Sequence, residues 1–143
     1  MRAFFAALGA AAVLAGVTLH ASAAELVVIV SARSPAPLLH ADQVAAIFLG
    51  QSAQLPDGAS VAAVDQPVGS PNRDAFYMRV AAKSPALLKA YWSKLLFTGR
   101  GQPPREVNDD AAVRKLVADS PGMIGYIDRS ALDASVRPVL VLR

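Results

Sequence analysis

Apolar positions in this chain fall into short runs of two kinds, and their alternation predicts an α/β fold. Leu26-Val27-Val28-Ile29-Val30 has no polar interruption, the pattern of a strand buried on both faces. Pro35 and Pro37 mark Ser31–Leu39 as a loop. Val44, Ile47 and Phe48 then recur at helical spacing, with Gly50 where a helix ends. After the turn-rich stretch Gln51–Gly58, Ser60–Val64 reads as a second buried strand. Ser70-Pro71 supplies an N-cap and a first helical residue. The helix it opens has Phe76, Tyr77, Val80 and Ala81 as its apolar face, with Arg73, Asp74 and Arg79 largely elsewhere. Ser84-Pro85 repeats that start signal for a helix carrying Leu87, Leu88, Tyr91, Trp92, Leu95 and Leu96 in two adjacent rows, ended by Gly99.

Arg100–Val107 reads as a loop, and Asn108 or Asp109 caps a helix reaching about Ala118, with Val113, Leu116 and Val117 inward. Pro121-Gly122 is a turn, Met123–Ile127 a third strand, and Val136–Leu142 a fourth. Pro138 is admissible there if the strand lies at a sheet edge. Strands alternating with helices predict a substantially parallel sheet flanked by helices.

The segment ahead of the first strand follows a different pattern. Arg2 precedes an apolar run from Phe4 to Leu19, and Ala21-Ser22-Ala23 has the small residues that a signal peptidase reads. Residues 1–24 are thus expected to be a signal peptide cleaved after Ala23 or Ala24, leaving one domain over 25–143. The alternative is an uncleaved anchor, since the run approaches the length that spans a bilayer. With no cysteine in the chain, no disulfide staples the fold and no lipid can be attached after the leader. The expected location is the periplasm of a cell with an outer membrane. A formal charge of +3 is mildly basic, favours an anionic ligand slightly, and falls short of the concentrated basic face that nucleic acid requires.

Little in the composition serves catalysis. His40 is the only histidine after the leader, so neither a histidine–cysteine metal site nor a cysteine nucleophile can be built. No G-x-S-x-G elbow, P-loop or G-x-G-x-x-G is present, and Asp109-Asp110 is explained by helix capping. We therefore expect no catalytic residues, metal or cofactor. The suggestive stretch is Val64–Arg73, where a strand, a polar turn and a helix start follow one another. Unpaired N–H groups at such a start accept an anion, which Ser70 and Arg73 could reinforce. The plain alternative is that Ser70 only caps and Arg73 is solvated. Arg100, between Gly99 and Gly101, is a candidate accessory cation or simply a solvated loop residue. Leucine neighbours favour core packing for Tyr91 and Trp92.

These segments together resemble a known family. Val44–Gly50 resembles the I-F-L-G helix of phosphate-binding proteins of the periplasmic ABC-transport type, and Pro121–Tyr126 its P-G-x-I-G-Y strand. Val64–Phe76 sits where that family carries its phosphate loop, R-x-D-G-S-G-T ahead of a helix. Leu88–Trp92 and Phe97–Gly101 are similar to a short-chain, phosphate-binding-protein-like branch. The resemblance implies a single lobe of a class II periplasmic binding protein, with a mostly parallel sheet. It implies non-catalytic binding of phosphate or another small oxyanion, linked to an ABC transporter permease. The implied ligand residues are Gln66, Gly69, Ser70, Asn72 and Arg73, with Arg100 as accessory. Gly69 and Ser70 match the family loop, whereas Gln66, Val68 and Asn72 replace its arginine, aspartate and threonine. Full-length members close two lobes on the anion, so a homodimer could complete the site here. The alternative is a ligand-free interaction module docking a periplasmic or membrane partner.

Overall fold

The computed structural model describes residues 25–143, and the expected leader lies outside the described residues. In chain order the elements are β1 (Leu26–Ser31), α1 (Ala41–Phe48), β2 (Ala62–Asp65), α2 (Pro71–Ala81), α3 (Pro85–Phe97), β3 (Arg105–Glu106), α4 (Asp110–Asp119), β4 (Met123–Asp128) and β5 (Val136–Leu142). A 3-10 turn at Arg129–Ala131 links the last two strands. The strand and helix signals above all mark real elements. β3 has no counterpart among them, because two exposed residues carry no periodicity and are extended only by pairing with β2.

The single sheet has the order β3-β2-β4-β1-β5. Pairings β2–β3 and β2–β4 are parallel, and β1 runs antiparallel to both β4 and β5. Four strands therefore share a direction and β1 alone is reversed, inserted between β4 and β5. The α/β lobe is as expected, but the sheet is mixed rather than mostly parallel. The apolar run of β1 records burial on both faces and carries no information about strand direction. β5 is an edge strand, which is why Pro138 is tolerated. Val28 pairs with Leu140 and Ile29 with Pro138, so Val139 bulges, and its carbonyl accepts the Leu39 N–H at 2.9 Å.

Burial on both sides of β1 has a direct structural cause. Leu26, Val28 and Val30 face a core shared with α1, α2 and α3, while Val27 and Ile29 face a second core under α4. In the larger core Phe76 stacks on Tyr126 with ring centroids 3.9 Å apart, and Phe48 meets Phe76 edge-on at 4.7 Å. The aromatic residues of the three motifs that carry the family resemblance are thus one contact cluster. In α3 only Leu88 and Trp92 of the two apolar rows are buried. Leu87 and Leu96 stay exposed because no element among the described residues covers that side.

Gly125, in the middle of β4, sets how closely α4 approaches the sheet. A Cβ there would lie 2.6 Å from Val113 Cγ1 and 3.2 Å from Val117 Cγ2. Gly125→Ala is expected to force α4 outward and lower stability by about 1–3 kcal/mol, the usual cost of overpacking. Urea unfolding measures this, and Val113→Ala in the same chain should restore part of the loss. An unchanged midpoint in the single variant would show that α4 yields freely.

Candidate functional site

The site is built at the carboxyl ends of the parallel strands, the edge where α/β sheets bind ligands. Asp65 ends β2 and Glu106 ends β3, while Tyr126 and Asp128 close β4. The starts of α2 and α4 arrive at the same edge.

Asp65 is its centre and is almost wholly buried (1% exposed). Tyr126 Oη donates to Asp65 Oδ1 and Tyr77 Oη to Asp65 Oδ2, each at 2.5 Å, and the Gln66 N–H donates to Oδ1 at 2.8 Å. Arg73 Nε stands 3.5 Å from Oδ2 in an ion pair, and the guanidinium lies over the Tyr77 ring, 5.6 Å from its centroid. Burial above all, then the adjacent Asp65 charge, holds both phenols well above their ordinary pKa of 10.0. They remain neutral donors to the carboxylate.

Next comes the turn. Gly69 has φ +90°, a conformation that glycine adopts without strain. Ser70 caps α2 by accepting from the Arg73 N–H at 3.3 Å, and its hydroxyl donates to Gln66 Oε1 at 3.2 Å. The Gln66 side chain is buried, and its Nε2 donates to Asp110 Oδ1 at 2.7 Å and to the Tyr126 carbonyl at 3.0 Å. Asn72 Nδ2 reaches the two Asp110 oxygens at 3.2 and 3.3 Å, and the Asp128 N–H donates to Asp110 Oδ2 at 3.2 Å.

Of the residues expected to bind a ligand, Gln66, Gly69, Ser70, Asn72 and Arg73 therefore share one turn. Arg73 is buried against Asp65, with Nη2 4.0 Å from Glu106, and is not a solvated first-turn residue. The burial of Asp65 at the end of β2 draws it inward. Arg100 is exposed beyond α3, and no hydrogen bond or ion pair joins it to the turn. Tyr91 donates to the Leu49 carbonyl at 2.6 Å, tying α3 to α1, and Trp92 is buried. His40 occupies the N-cap position of α1 and is exposed.

Asp110 was not singled out by the sequence as more than a capping residue. Its neighbour Asp109 does cap α4, accepting from the Ala112 N–H at 2.8 Å. Asp110, one position on, turns across to the β2–α2 loop and collects its side-chain amides. The sequence signal was the pair of acids at a helix start together with two amides in the loop, but nothing in their spacing showed that they meet. Chemically, the turn sets the Asn72 N–H, the helix-start donor that Ser70 leaves free, beside amide side chains, while Asp65, Glu106, Asp110 and Asp128 make its surroundings acidic. Among the described residues no group of three or more histidine, cysteine or acidic side chains is placed to hold a metal ion.

No family model matches the chain, and no curated protein matches it. Solved structures do. A phosphate ABC transporter substrate-binding protein with bound phosphate, from Clostridium perfringens, is 25% identical with a TM-score of 0.62, over 81% of this chain and 45% of that one. An ABC-type phosphate transport receptor from Vibrio cholerae is 20% identical with a TM-score of 0.63, over 81% of this chain and 46% of that one. PstS from Borrelia burgdorferi is 14% identical with a TM-score of 0.55, over 83% of this chain and 47% of that one. The chain spans less than half the length of each of these structures. By fold, the described domain is similar to one part of the phosphate ABC transporter substrate-binding proteins, as its sequence motifs indicate.

Proposed function

We propose that the protein is a non-catalytic, exported solute-binding-like lobe that takes phosphate or another small oxyanion at the start of α2. The observation that carries this reading is the Ser70-capped helix start at the carboxyl end of β2, in a domain similar to a structure holding phosphate. The helix dipole favours an anion there; Pro71 has no N–H and Ser70 Oγ takes that of Arg73, so the Asn72 N–H is the helix-start donor left for it. Gly69 supplies the positive φ of the turn, an incoming anion competes with Gln66 Oε1 for the Ser70 hydroxyl and with Asp110 for the Asn72 amide, and Arg73 counters the charge of Asp65 behind it. A second subunit, or Arg100 moving in from its loop, completes the exposed side of the anion. In the periplasm such a lobe would serve an ABC-type phosphate system through a permease or another membrane partner.

The test is a thermal-shift titration of the purified protein with phosphate, beside Ser70→Ala. A midpoint that rises with phosphate concentration in the parent, and about tenfold less sensitively in Ser70→Ala, is the expected result. A flat response up to millimolar phosphate sinks the reading.

One observation favours a second reading, a ligand-free docking module. Gln66 and Asn72 already spend side-chain donors on Asp110, and Val68 in the same turn presents an exposed apolar side chain, as does Phe97 at the end of α3. A partner recovered by crosslinking from periplasmic extract, and retained by Ser70→Ala, would support it.

A further inference from the structure

A groove of about 510 Å³ opens beside α2 and α3, bounded by Pro103 and Glu106 across from them. This is within the ~300–1,000 Å³ of small-molecule sites. Val68 and Arg73 of the turn described above line it, but Gln66, Gly69, Ser70 and Asn72 do not, so the groove adjoins that turn without sharing its amide and hydroxyl groups. Val68, Leu88, Trp92 and Leu96 make it mainly apolar. Its charges balance, with Arg73 and Lys89 against Asp74 and Glu106, and Arg73 is already paired with Asp65.

Beside this groove Trp92 Nε1 is a buried donor with no hydrogen-bond partner among the described residues, while Arg73 Nε has only its ion pair with Asp65. Trp92 is only 5% exposed and the Arg73 side chain 9%. A Cβ at Gly50 would meet Trp92 Cη2 at 3.4 Å, and one at Gly101 would meet Cζ3 at 4.0 Å. The benzo edge thus faces those glycines, and the pyrrole edge with Nε1 turns away from them. A buried N–H left without an acceptor is destabilising, so a ligand that supplies one gains an interaction that water does not provide.

We propose that this groove binds a small, uncharged amphiphile: an apolar body against Trp92, Leu88 and Leu96, with a carbonyl or similar acceptor for Trp92 Nε1. A net charge on the ligand is disfavoured, because either sign meets a like charge on the rim with no unpaired opposite charge buried to receive it.

Trp92 is the only tryptophan of the chain, so its emission reports on the groove directly. The experiment titrates the purified protein with 2-octanone, octanoate and octylamine, which share an alkyl chain and differ in head group. A saturable emission change with 2-octanone, at least tenfold weaker with the two charged heads, is the expected result. Leu96→Arg, at a half-exposed wall position, should abolish it. Trp92→Phe, followed by thermal shift, should weaken 2-octanone binding about tenfold through loss of the N–H. No saturable change, equal binding of all three heads, or a response undiminished in Leu96→Arg overturns the proposal. Emission that depends on protein concentration alone also overturns it, by assigning the groove to a second copy of the chain.

Discussion

Asp65→Ala should lower the thermal unfolding midpoint by roughly 10–20 °C, the largest effect expected of any single substitution at this sheet edge. Asp65 accepts from two buried phenols and a backbone N–H while facing the Arg73 guanidinium. Removing it strands a buried cation and two donors together. Breaking a buried pair in this way costs about 3–5 kcal/mol, and in a domain of this size each kcal/mol moves the midpoint by roughly 3–5 °C. Asp65→Asn should lose less, since an amide oxygen still accepts from one phenol. Arg73→Met added to Asp65→Ala should recover part of the loss by removing the stranded charge. Calorimetry on the three variants decides the matter. A loss under about 1 kcal/mol in Asp65→Ala would mean that Asp65 does not organise the site.

The same cluster fixes the sign of an alkaline effect. Tyr77 and Tyr126 are held protonated in the folded state well above 10.0, their ordinary value. The folded protein therefore retains two protons that the unfolded chain releases above about pH 10. Stability is complete below that pH and declines as pH rises beyond it.

Much of this arrangement was legible in the sequence, and what was not has identifiable causes. Local signals placed α2 correctly, because Ser70 and Pro71 act on the backbone next to them. The buried run of β1 foretold its position between two cores, though not its reversed direction, which depends on strands at the far end of the chain. Arg73 followed the apolar face inward because Asp65, eight positions earlier at the end of β2, offered a buried counter-charge that helical periodicity cannot register. Asp110 is the clearest case. Its local role as a helix-start acid is sufficient to explain it, yet it meets Gln66 and Asn72 across 44 and 38 residues of chain. Pairings at that separation are decided by the sheet order, and no motif in one chain declares them.

That pairing leads to the second large expected effect, a gain of phosphate affinity of tenfold or more in Asp110→Ala. In the native protein the Asp110 carboxylate accepts from Gln66 Nε2, Asn72 Nδ2 and the Asp128 N–H. It takes up donors that an incoming oxyanion would use, and its charge repels that anion. Each charge-assisted hydrogen bond contributes about 1.5–3 kcal/mol, so freeing even one donor while removing the repulsion suffices for the stated gain. Asp110→Asn should fall between, because it removes the charge but leaves an acceptor in place. Stability should drop by about 1–2 kcal/mol as the first turn of α4 loses its acidic residue and its tie to the β2–α2 loop. Calorimetric phosphate titrations of the parent and both variants at low and high salt measure the gain. If the parent binds phosphate and Asp110→Ala binds no better, the oxyanion reading stands and Asp110 is a structural tie alone. If the parent is silent and Asp110→Ala binds, the chain's own carboxylate fills the place of the ligand. The native lobe is then held closed to anions, and the docking reading gains the weight that the phosphate reading loses.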